Sequence, residues 1–235
     1  MAQQLILPLQ LDDSASFENY YSGPNSEAVE ELKLLVDSGN RRRPVYLWGK
    51  PGCGRTHLLH ALCQRAEGRG RLHLYLPLGS AEFTPSVFER LNPALMVCLD
   101  NLEAIAGDED WEQAILSLFD KIAGGTGALV VTAQAPPPKL GFALPDLASR
   151  LASGGVYRLL PLDDRGKAAF LRLRARERGL DLSDEVVKYI LRHYRRDTES
   201  LFSLLDRIDT ASLSARRRVT VPFIKQYLSS VAGSR

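Results

Sequence analysis

Short apolar runs alternate with amphipathic stretches along the first two thirds of the chain. Runs about as long as one strand occur at 45–48, 72–76, 95–99, 128–132 and 156–160. Between them, apolar residues recur with helical spacing at about 25–37, 55–66, 84–91 and 110–123. Strands that alternate with helices are typical of an α/β fold, in which helices flank both faces of a parallel sheet. The carboxyl ends of the strands then share one edge, where we expect ligands to bind.

The pattern changes after Pro161, and from there it predicts helices alone. Helical spacing continues at about 163–178, 184–194 and 199–213. A fourth helix is expected to start near Thr220, whose hydroxyl suits an N-cap, as does that of Ser183. We therefore predict three parts, a flexible tail at 1–16, an α/β domain at 17–161 and a small all-helical domain at 162–235.

Composition restricts the class of protein. Of the 235 residues 45% are hydrophobic and 25% charged, as in ordinary globular domains. Thirty Lys and Arg against 28 Asp and Glu leave a net charge of +2, which is a smaller basic excess than dedicated DNA-binding proteins usually carry. Cys53, Cys63 and Cys98 have no metal-site or disulfide spacing. With neither a signal peptide nor a membrane span in the pattern, we predict a cytoplasmic protein without a membrane partner.

A glycine-rich segment follows the first predicted strand and opens the next helix. Residues 49–56 read GKPGCGRT, against the template G-x-x-x-x-G-K-[ST] of phosphate-binding loops. Backbone N–H groups of such a loop surround phosphate oxygens, and the helix N-terminus adds positive potential. A plain glycine-rich turn is the alternative. The predicted nucleotide-binding residues are Gly49, Pro51, Gly52, Cys53, Gly54, Arg55, Thr56 and His57.

Residues of this site predict nucleotide binding with slow hydrolysis. Thr56 and Asp100, the latter at the end of strand 95–99, are the predicted Mg²⁺ ligands, and a capping or turn aspartate is the alternative for Asp100. Arg55 replaces the lysine of the template with a longer, forked cation. Asn101 follows Asp100, and its amide cannot act as a general base for water. Glu103 is a weaker candidate for that base.

These residues resemble AAA+ ATPases of the DnaA/Hda family. The resemblance rests on 49–56, on Asp100-Asn101-Leu102, on Val131-Thr132 and on the sequence LPDLASRL at 144–151, and it extends over nearly the whole chain. It implies a P-loop parallel sheet flanked by helices and followed by a small all-α lid domain. The match is closer to the DnaA-homologous regulators than to DnaA, whose DNA-binding domain we expect this chain to lack.

The resemblance implies roles for further residues. Thr132 matches a polar sensor near the γ-phosphate, and Arg150 matches an arginine finger that acts in trans on a partner's nucleotide. Tyr20 and Tyr21 match the region that packs against adenine. The alternatives are a strand-end threonine, a surface ion pair and an ordinary aromatic cluster. Glu199 stands where the family has a lid arginine, which favours ADP over ATP as the resident nucleotide.

The N-terminal tail resembles the bacterial sliding-clamp-binding motif. Residues 4–9 read QLILPL, in which Gln4 offers a polar anchor and Leu5 begins the apolar run. Leu7 and Leu9 can fill an apolar groove, and Pro8 discourages a helix. An edge strand or a disordered end is the alternative.

The resemblance as a whole implies a regulatory function. We expect a protein that holds ADP (or ATP) with Mg²⁺, binds the DNA-loaded sliding clamp (the beta subunit of DNA polymerase III), and stimulates hydrolysis of DnaA-bound ATP. This would be negative regulation of replication initiation, with weak or no intrinsic ATPase activity. DNA would be reached mostly through the clamp, and a homodimer or higher oligomer stays open. The alternative is an autonomous AAA+ ATPase that acts as a helicase loader or a clamp-loader-type factor.

Overall fold

The protein is described here from a computed structural model. The structure describes residues 15–38, 43–89, 91–215 and 218–232, so the predicted clamp-binding residues 4–9 lie outside it. The chain divides between Leu160 and Pro161 into two compact units.

Five parallel strands form the sheet of the first unit. They are β1 (Val45–Trp48), β2 (His73–Pro77), β3 (Met96–Asp100), β4 (Ala128–Ala133) and β5 (Gly155–Arg158). Their order across the sheet is β2-β3-β4-β1-β5, and every neighbouring pair is parallel. The strand order therefore reverses beside β1, and doubly wound sheets bind ligands at such a reversal.

Helices cover both faces of the sheet because successive strand residues point to opposite sides. Helices α1 (Ser26–Ser38) and α2 (Arg55–Gly68) pack on the face that carries Val45 and Leu47. Helices α3 (Glu109–Ala123) and α4 (Pro145–Ala152) pack on the face that carries Tyr46. The predicted α/β fold is thus confirmed, and the inner strands β1, β3 and β4 are nearly continuous apolar runs.

The structure departs from the sequence predictions at three local features. The helix predicted at 84–91 is wrong, since the described residues there form only the 3-10 turn Pro85–Phe88. Pro85 and Pro93 bracket this segment, and each restricts the backbone of the residue before it to extended conformations. Conversely, α4 has no counterpart among the predicted helices, because its eight residues are too few for a clear period. The edge strand β5 also spans Gly155–Arg158 instead of 156–160.

The second unit contains helices alone within its described residues. They are α5 (Asp164–Glu177), α6 (Asp184–His193), α7 (Thr198–Ala215) and α8 (Val221–Ala232). Ser183 accepts a hydrogen bond from the N–H of Val186, and Thr220 accepts one from the N–H of Phe223, as expected of N-caps. Fully buried Leu171, Ile190 and Leu204 form part of its core. No helix of the described ranges is long and apolar enough to cross a membrane.

We predict that Gly154→Ala destabilises the first unit. A Cβ at this position would collide with the carbonyl oxygen of Pro44, which accepts the hydrogen bond from Gly155 N–H that starts the β1–β5 pairing. Backbone cannot move aside as a flexible side chain can, so a loss of about 1–3 kcal/mol in the free energy of unfolding is expected. Urea titration followed by circular dichroism measures it.

Gly68→Ala is the matched control. A Cβ on Gly68, the last residue of α2, meets no atom within 4 Å. That variant should unfold at the same urea concentration as the parent protein or slightly above it, because alanine favours a helix over glycine. Equal midpoints for the two variants would contradict the collision.

Candidate functional site

The glycine-rich loop connects the carboxyl end of β1 to the start of α2. Gly49 N–H donates to the carbonyl oxygen of Ala133 at 3.1 Å, which joins the loop to the end of β4. Gly52 and Gly54 have φ angles of +80° and +94°, in the left-handed region that side chains rarely adopt. Gly54 caps α2 without a side-chain hydrogen bond, so the first N–H groups of the helix remain available to an anion.

Tyr20 lies against this loop. Its hydroxyl donates to the carbonyl oxygen of Cys53 at 3.1 Å and accepts from Asn25 Nδ2 at 3.0 Å. Burial raises the pKa of Tyr20 to about 12, so the hydroxyl is a neutral donor at neutral pH. A Cβ on Gly54 would lie 2.5 Å from the Tyr20 ring, and the ring is also 5.5 Å from that of His57 between centroids. Tyr20 therefore packs against the loop at Cys53 and Gly54 and supports its conformation.

Three hydroxyl groups converge on the carboxylate of Asp100, which is only 1% exposed. Thr56 Oγ1 donates to Oδ2 at 2.7 Å, and the Tyr75 hydroxyl donates to the same oxygen at 3.0 Å. Thr132 Oγ1 donates to Oδ1 and accepts from the N–H of Asn101 at 3.1 Å. The structure thus brings together Thr56, Asp100 and Thr132, which the sequence singled out separately.

Tyr75 was missed in the sequence analysis. It stands in an apolar strand, where a tyrosine is usually explained by packing alone. Its alternation with His73 and its pairing with Cys98 in β3 place it on the Asp100 face of the sheet. Burial, reinforced by the charge of Asp100, raises the pKa of Tyr75 far above its usual range and keeps it a donor.

The chemistry of this cluster fits a divalent cation. Within the described residues, Asp100 receives hydrogen bonds from neutral hydroxyl groups and forms no ion pair. A buried carboxylate without a cationic partner is costly, and a bound cation removes that cost. Thr56 and Asp100 offer the oxygen ligands that Mg²⁺ prefers. No group of three His, Cys, Asp or Glu that could hold a metal occurs in the described ranges.

Arg55 does not extend freely into the loop. It is 8% exposed, and its Nη1 donates to Glu103 Oε1 at 3.1 Å. The other oxygen of Glu103 accepts from the backbone N–H of Gln134 at 3.1 Å. Both oxygens of Glu103 are therefore engaged, which leaves this residue poorly placed to activate water. Asn101 adopts a left-handed φ of +61°, which asparagine tolerates better than most residues.

Arg150 lies on α4, and its described contacts are with the same helix and with α3. Its Nε donates to Asp146 Oδ2 at 2.8 Å, its Nη1 pairs with Asp120, and its guanidinium lies 5.5 Å from the centre of the Phe119 ring. Its side chain is 33% exposed. The hydrogen bond that Arg150 donates to Asp146, followed by the one that it donates to Asp120, raises the pKa of Arg150 further, so its charge is permanent.

The structure leaves other predicted site residues apart from this cluster or undescribed. Tyr21 packs beside Gly23, where a Cβ would lie 2.9 Å from the Tyr21 ring, so its contact with adenine remains a prediction. The side chain of Glu199 lies outside what the structure describes, although the backbone there belongs to α7. Gln4, Leu5, Leu7, Pro8 and Leu9 also lie outside the described residues.

Solved structures share this architecture. Domain III of the Thermotoga maritima replication initiation protein DnaA matches with a TM-score of 0.78 at 19% identity, over 94% of this chain and 98% of that one. A replication initiator DnaA bound to AMPPCP and single-stranded DNA matches with a TM-score of 0.71 at 21% identity, over 84% of this chain. This chain spans 65% of the length of that DnaA. The Thermotoga maritima Holliday junction branch migration motor RuvB matches with a TM-score of 0.70 at 15% identity, over 94% of this chain and 73% of RuvB.

Family models match in both units. The model described as the bacterial DnaA ATPase domain matches residues 11–92, which include the glycine-rich loop and Tyr75. The model described as the lid domain of Hda matches residues 164–228, which begin at the first residue of α5. Together with the AAA+ architecture, these matches show that the chain belongs to the DnaA/Hda family of AAA+ proteins.

Proposed function

We propose that this protein binds an adenine nucleotide and stimulates hydrolysis of the ATP bound to DnaA, instead of turning over ATP efficiently itself. The observation that carries the proposal is the ion pair between Arg55 and Glu103, at 3.1 Å, inside an otherwise intact phosphate-binding loop. The pair engages Arg55 of the loop and Glu103, the acid that the sequence analysis offered as a base. Binding is preserved while the parts needed for hydrolysis are occupied.

Nucleotide binding is supported by the loop and by its relatives. The loop keeps the left-handed glycines and the uncapped start of α2 that favour phosphate. A solved DnaA of the same fold is bound to AMPPCP. In the proposal the phosphates lie on the loop, Thr56 and Asp100 hold Mg²⁺, and Thr132 faces the terminal phosphate. ADP is the proposed resident nucleotide, because the sequence has the acid Glu199 where the family has a lid arginine.

Arg150 is the proposed arginine finger. It is partly exposed on α4, carries a permanent charge, and has carboxylate partners that a phosphate of another molecule could replace. An arginine supplied in trans offsets charge that develops on the transferring phosphoryl group. Completing the site of DnaA would thus require no hydrolysis at the loop of this chain.

The tail gives the proposed location of this activity. Residues 4–9 would occupy the apolar groove of the sliding clamp as an extended peptide, with Leu7 and Leu9 as anchors. Clamp loaded on DNA would then concentrate the protein where replication has begun, so that DnaA is inactivated in the cytoplasm after initiation. DNA is contacted mainly through the clamp in this scheme.

An autonomous ATPase motor is the second candidate. The similarity to the motor RuvB, at 15% identity, concerns the fold alone and does not favour this candidate. Its distinguishing property is strong ATP turnover by the isolated chain, and the experiments below measure that as well.

We predict that Glu103→Gln tightens ADP binding. The amide keeps an oxygen for the Gln134 N–H but removes the charge that neutralises Arg55, so the guanidinium attracts phosphate more strongly. Affinity for ADP should rise by about three- to tenfold, which is at most about 1.4 kcal/mol. Calorimetric titration in excess EDTA measures the effect on the anion alone.

Glu109→Gln serves as the matched control for this substitution. Glu109 is exposed on the first turn of α3, and it should leave ADP affinity unchanged. Weaker or unchanged binding by the Glu103 variant would show that Arg55 does not contribute to phosphate affinity from this position.

We predict that the protein stimulates phosphate release from DnaA preloaded with labelled ATP, and that Arg150→Ala abolishes the stimulation. Clamp loaded on DNA is present in each reaction. An arginine finger contributes about 10³–10⁵ in rate to phosphoryl transfer, so stimulation by the variant should fall close to the basal rate. The variant should bind ADP and clamp as the parent protein does.

Arg176→Ala is the control for loss of a surface arginine. Arg176 is exposed on the last turn of α5 and should be dispensable. Absence of stimulation by the parent protein would refute the regulatory function. Rapid ATP turnover by the isolated chain would support the motor instead, and full stimulation by the Arg150 variant would reject the finger alone.

We predict that replacing both Leu7 and Leu9 by Ala releases the protein from the clamp. Each buried leucine side chain contributes about 1.5–3 kcal/mol, so clamp affinity should fall by roughly 100-fold or more. ADP affinity should not change, because the loop is untouched. Surface plasmon resonance on immobilised clamp measures the loss, with Gln10→Ala, just beyond the motif, as control. Unchanged binding of the double variant would reject the tail as the anchor.

A further inference from the structure

A second buried carboxylate lies away from the phosphate-binding loop. Glu112, in the first turn of α3, is 0% exposed, although glutamate is almost never fully buried without partners. Its hydrogen bonds identify what it does in the fold.

Glu112 binds backbone N–H groups from two separate loops. Oε1 accepts from Gly107 at 2.7 Å and from Ala143 at 3.0 Å, and Oε2 accepts from Leu144 at 2.8 Å. Leu144 is the N-cap of α4, so two of these donors immediately precede that helix. Hydrogen bonds to an ionised acceptor are roughly twice as strong as neutral ones, and three of them compensate the buried charge. The start of α4 is therefore fixed to α3.

The same two helices also meet at the guanidinium of Arg150. Asp120, about two turns beyond Glu112 on α3, pairs with the guanidinium of Arg150, which stands six positions into α4. Helix α4 has eight residues, and helices this short are unstable alone. Its direction consequently depends on the contacts that hold it, and α3 supplies one at the backbone start and one at the side chain.

We propose that Glu112 is the positioning residue for Arg150. By fixing the Ala143 and Leu144 N–H groups it sets the direction of α4, and thereby the point that the Arg150 guanidinium reaches in a partner's nucleotide site. This inference rests on the proposed function, since it assigns Glu112 a role in the finger. Glu112 itself touches neither nucleotide nor partner in this scheme.

The test compares Glu112→Gln with Arg150→Ala and with the double variant. Glutamine keeps the shape of the side chain but turns an NH₂ group toward backbone donors, so α4 loses its fixed start. A small misplacement of a catalytic group can cost about 100-fold in rate. We expect the maximal stimulated rate of DnaA-bound ATP hydrolysis to fall by about tenfold to 100-fold. The concentration for half-maximal stimulation and the ADP affinity should stay unchanged.

The double variant separates positioning from general loss of structure. If Glu112 acts only through Arg150, then combining Glu112→Gln with Arg150→Ala gives no rate below that of Arg150→Ala alone. A further drop in the double variant, or equal losses of stimulation and of ADP-binding stoichiometry, would indicate a merely structural role and overturn the proposal. Glu109→Gln on the same helix should behave as the parent protein in every assay.

Hydrogen exchange supplies a readout that does not depend on DnaA. The amides of Ala143 and Leu144 should exchange faster in the Glu112 variant, while those of β1 and β4 stay protected. If the glutamine variant does not fold, Glu112→Asp keeps the charge and withdraws it by one methylene, and it should show a smaller loss of the same kind. Stimulation at the parent rate by a folded Glu112 variant overturns the inference.

The outcomes also separate this inference from the proposed function. Without stimulation by the parent protein both fail together. With stimulation that requires Arg150 but not Glu112, only the positioning role fails, and the regulatory function stands.

Discussion

The carboxylate of Asp100 is the group on which the geometry of the site depends. It is buried at the end of β3, and a buried charge must be compensated by hydrogen bonds or by a cation. Thr56, Tyr75 and Thr132 provide hydroxyl donors from α2, β2 and β4. These three elements and β3 must therefore be correctly positioned for all the hydrogen bonds to Asp100 to form. Because Thr56 is the second residue of α2, the same contact fixes where the glycine-rich loop ends. The Thr56–Asp100 hydrogen bond thus belongs both to the end of the loop and to the proposed cation site.

Asp100 at the end of β3 and Glu103 and Glu112 beyond it have the same carboxylate chemistry and different partners. Asp100 accepts hydrogen bonds from neutral hydroxyl groups and is the proposed ligand of a cation. Glu103 pairs with Arg55, and in the proposed function this pair withholds both side chains from hydrolysis. Glu112 is compensated by backbone N–H groups and organises α4. The proposed role of each carboxylate, as a cation ligand, as the partner of Arg55 or as the support of α4, therefore depends on the groups that contact it.

The sequence singled out Thr56, Asp100 and Thr132 one at a time, and the parallel sheet brings them together. Asp100 ends β3, Thr132 lies one residue before the end of β4, and Thr56 lies at the start of α2 after the loop that follows β1. The pair between Arg55 and Glu103 could not be predicted, because it depends on how one long side chain turns after a loop. Tyr75 looked like a packing residue, since a hydroxyl in an apolar strand has no periodicity of its own.

Short elements were predicted less well for a related reason. The segment 84–91 has helical spacing, but prolines at 85 and 93 limit it to the turn Pro85–Phe88. Helix α4 is also short and starts at Pro145, yet it forms because Glu112 supplies acceptors for the N–H groups just before it. Tertiary contacts decide whether such short helices form. A single sequence shows Glu112 but not the backbone N–H groups that it binds.

The attachment of α4 differs in strength between its backbone and its guanidinium, and this difference suits the proposed function. The bonds of Glu112 are buried and charge-assisted, so replacing them with water is costly. The pairs of Arg150 with Asp120 and Asp146 are partly exposed, and solvent screens such pairs strongly. A phosphate in a desolvated partner site can therefore compete for the guanidinium without disturbing the helix that presents it. Because its ion pairs are weak, Arg150 gives up little free energy when it leaves Asp120 and Asp146. Because its helix is firmly held, little conformational entropy remains to be lost when it binds the partner's phosphate.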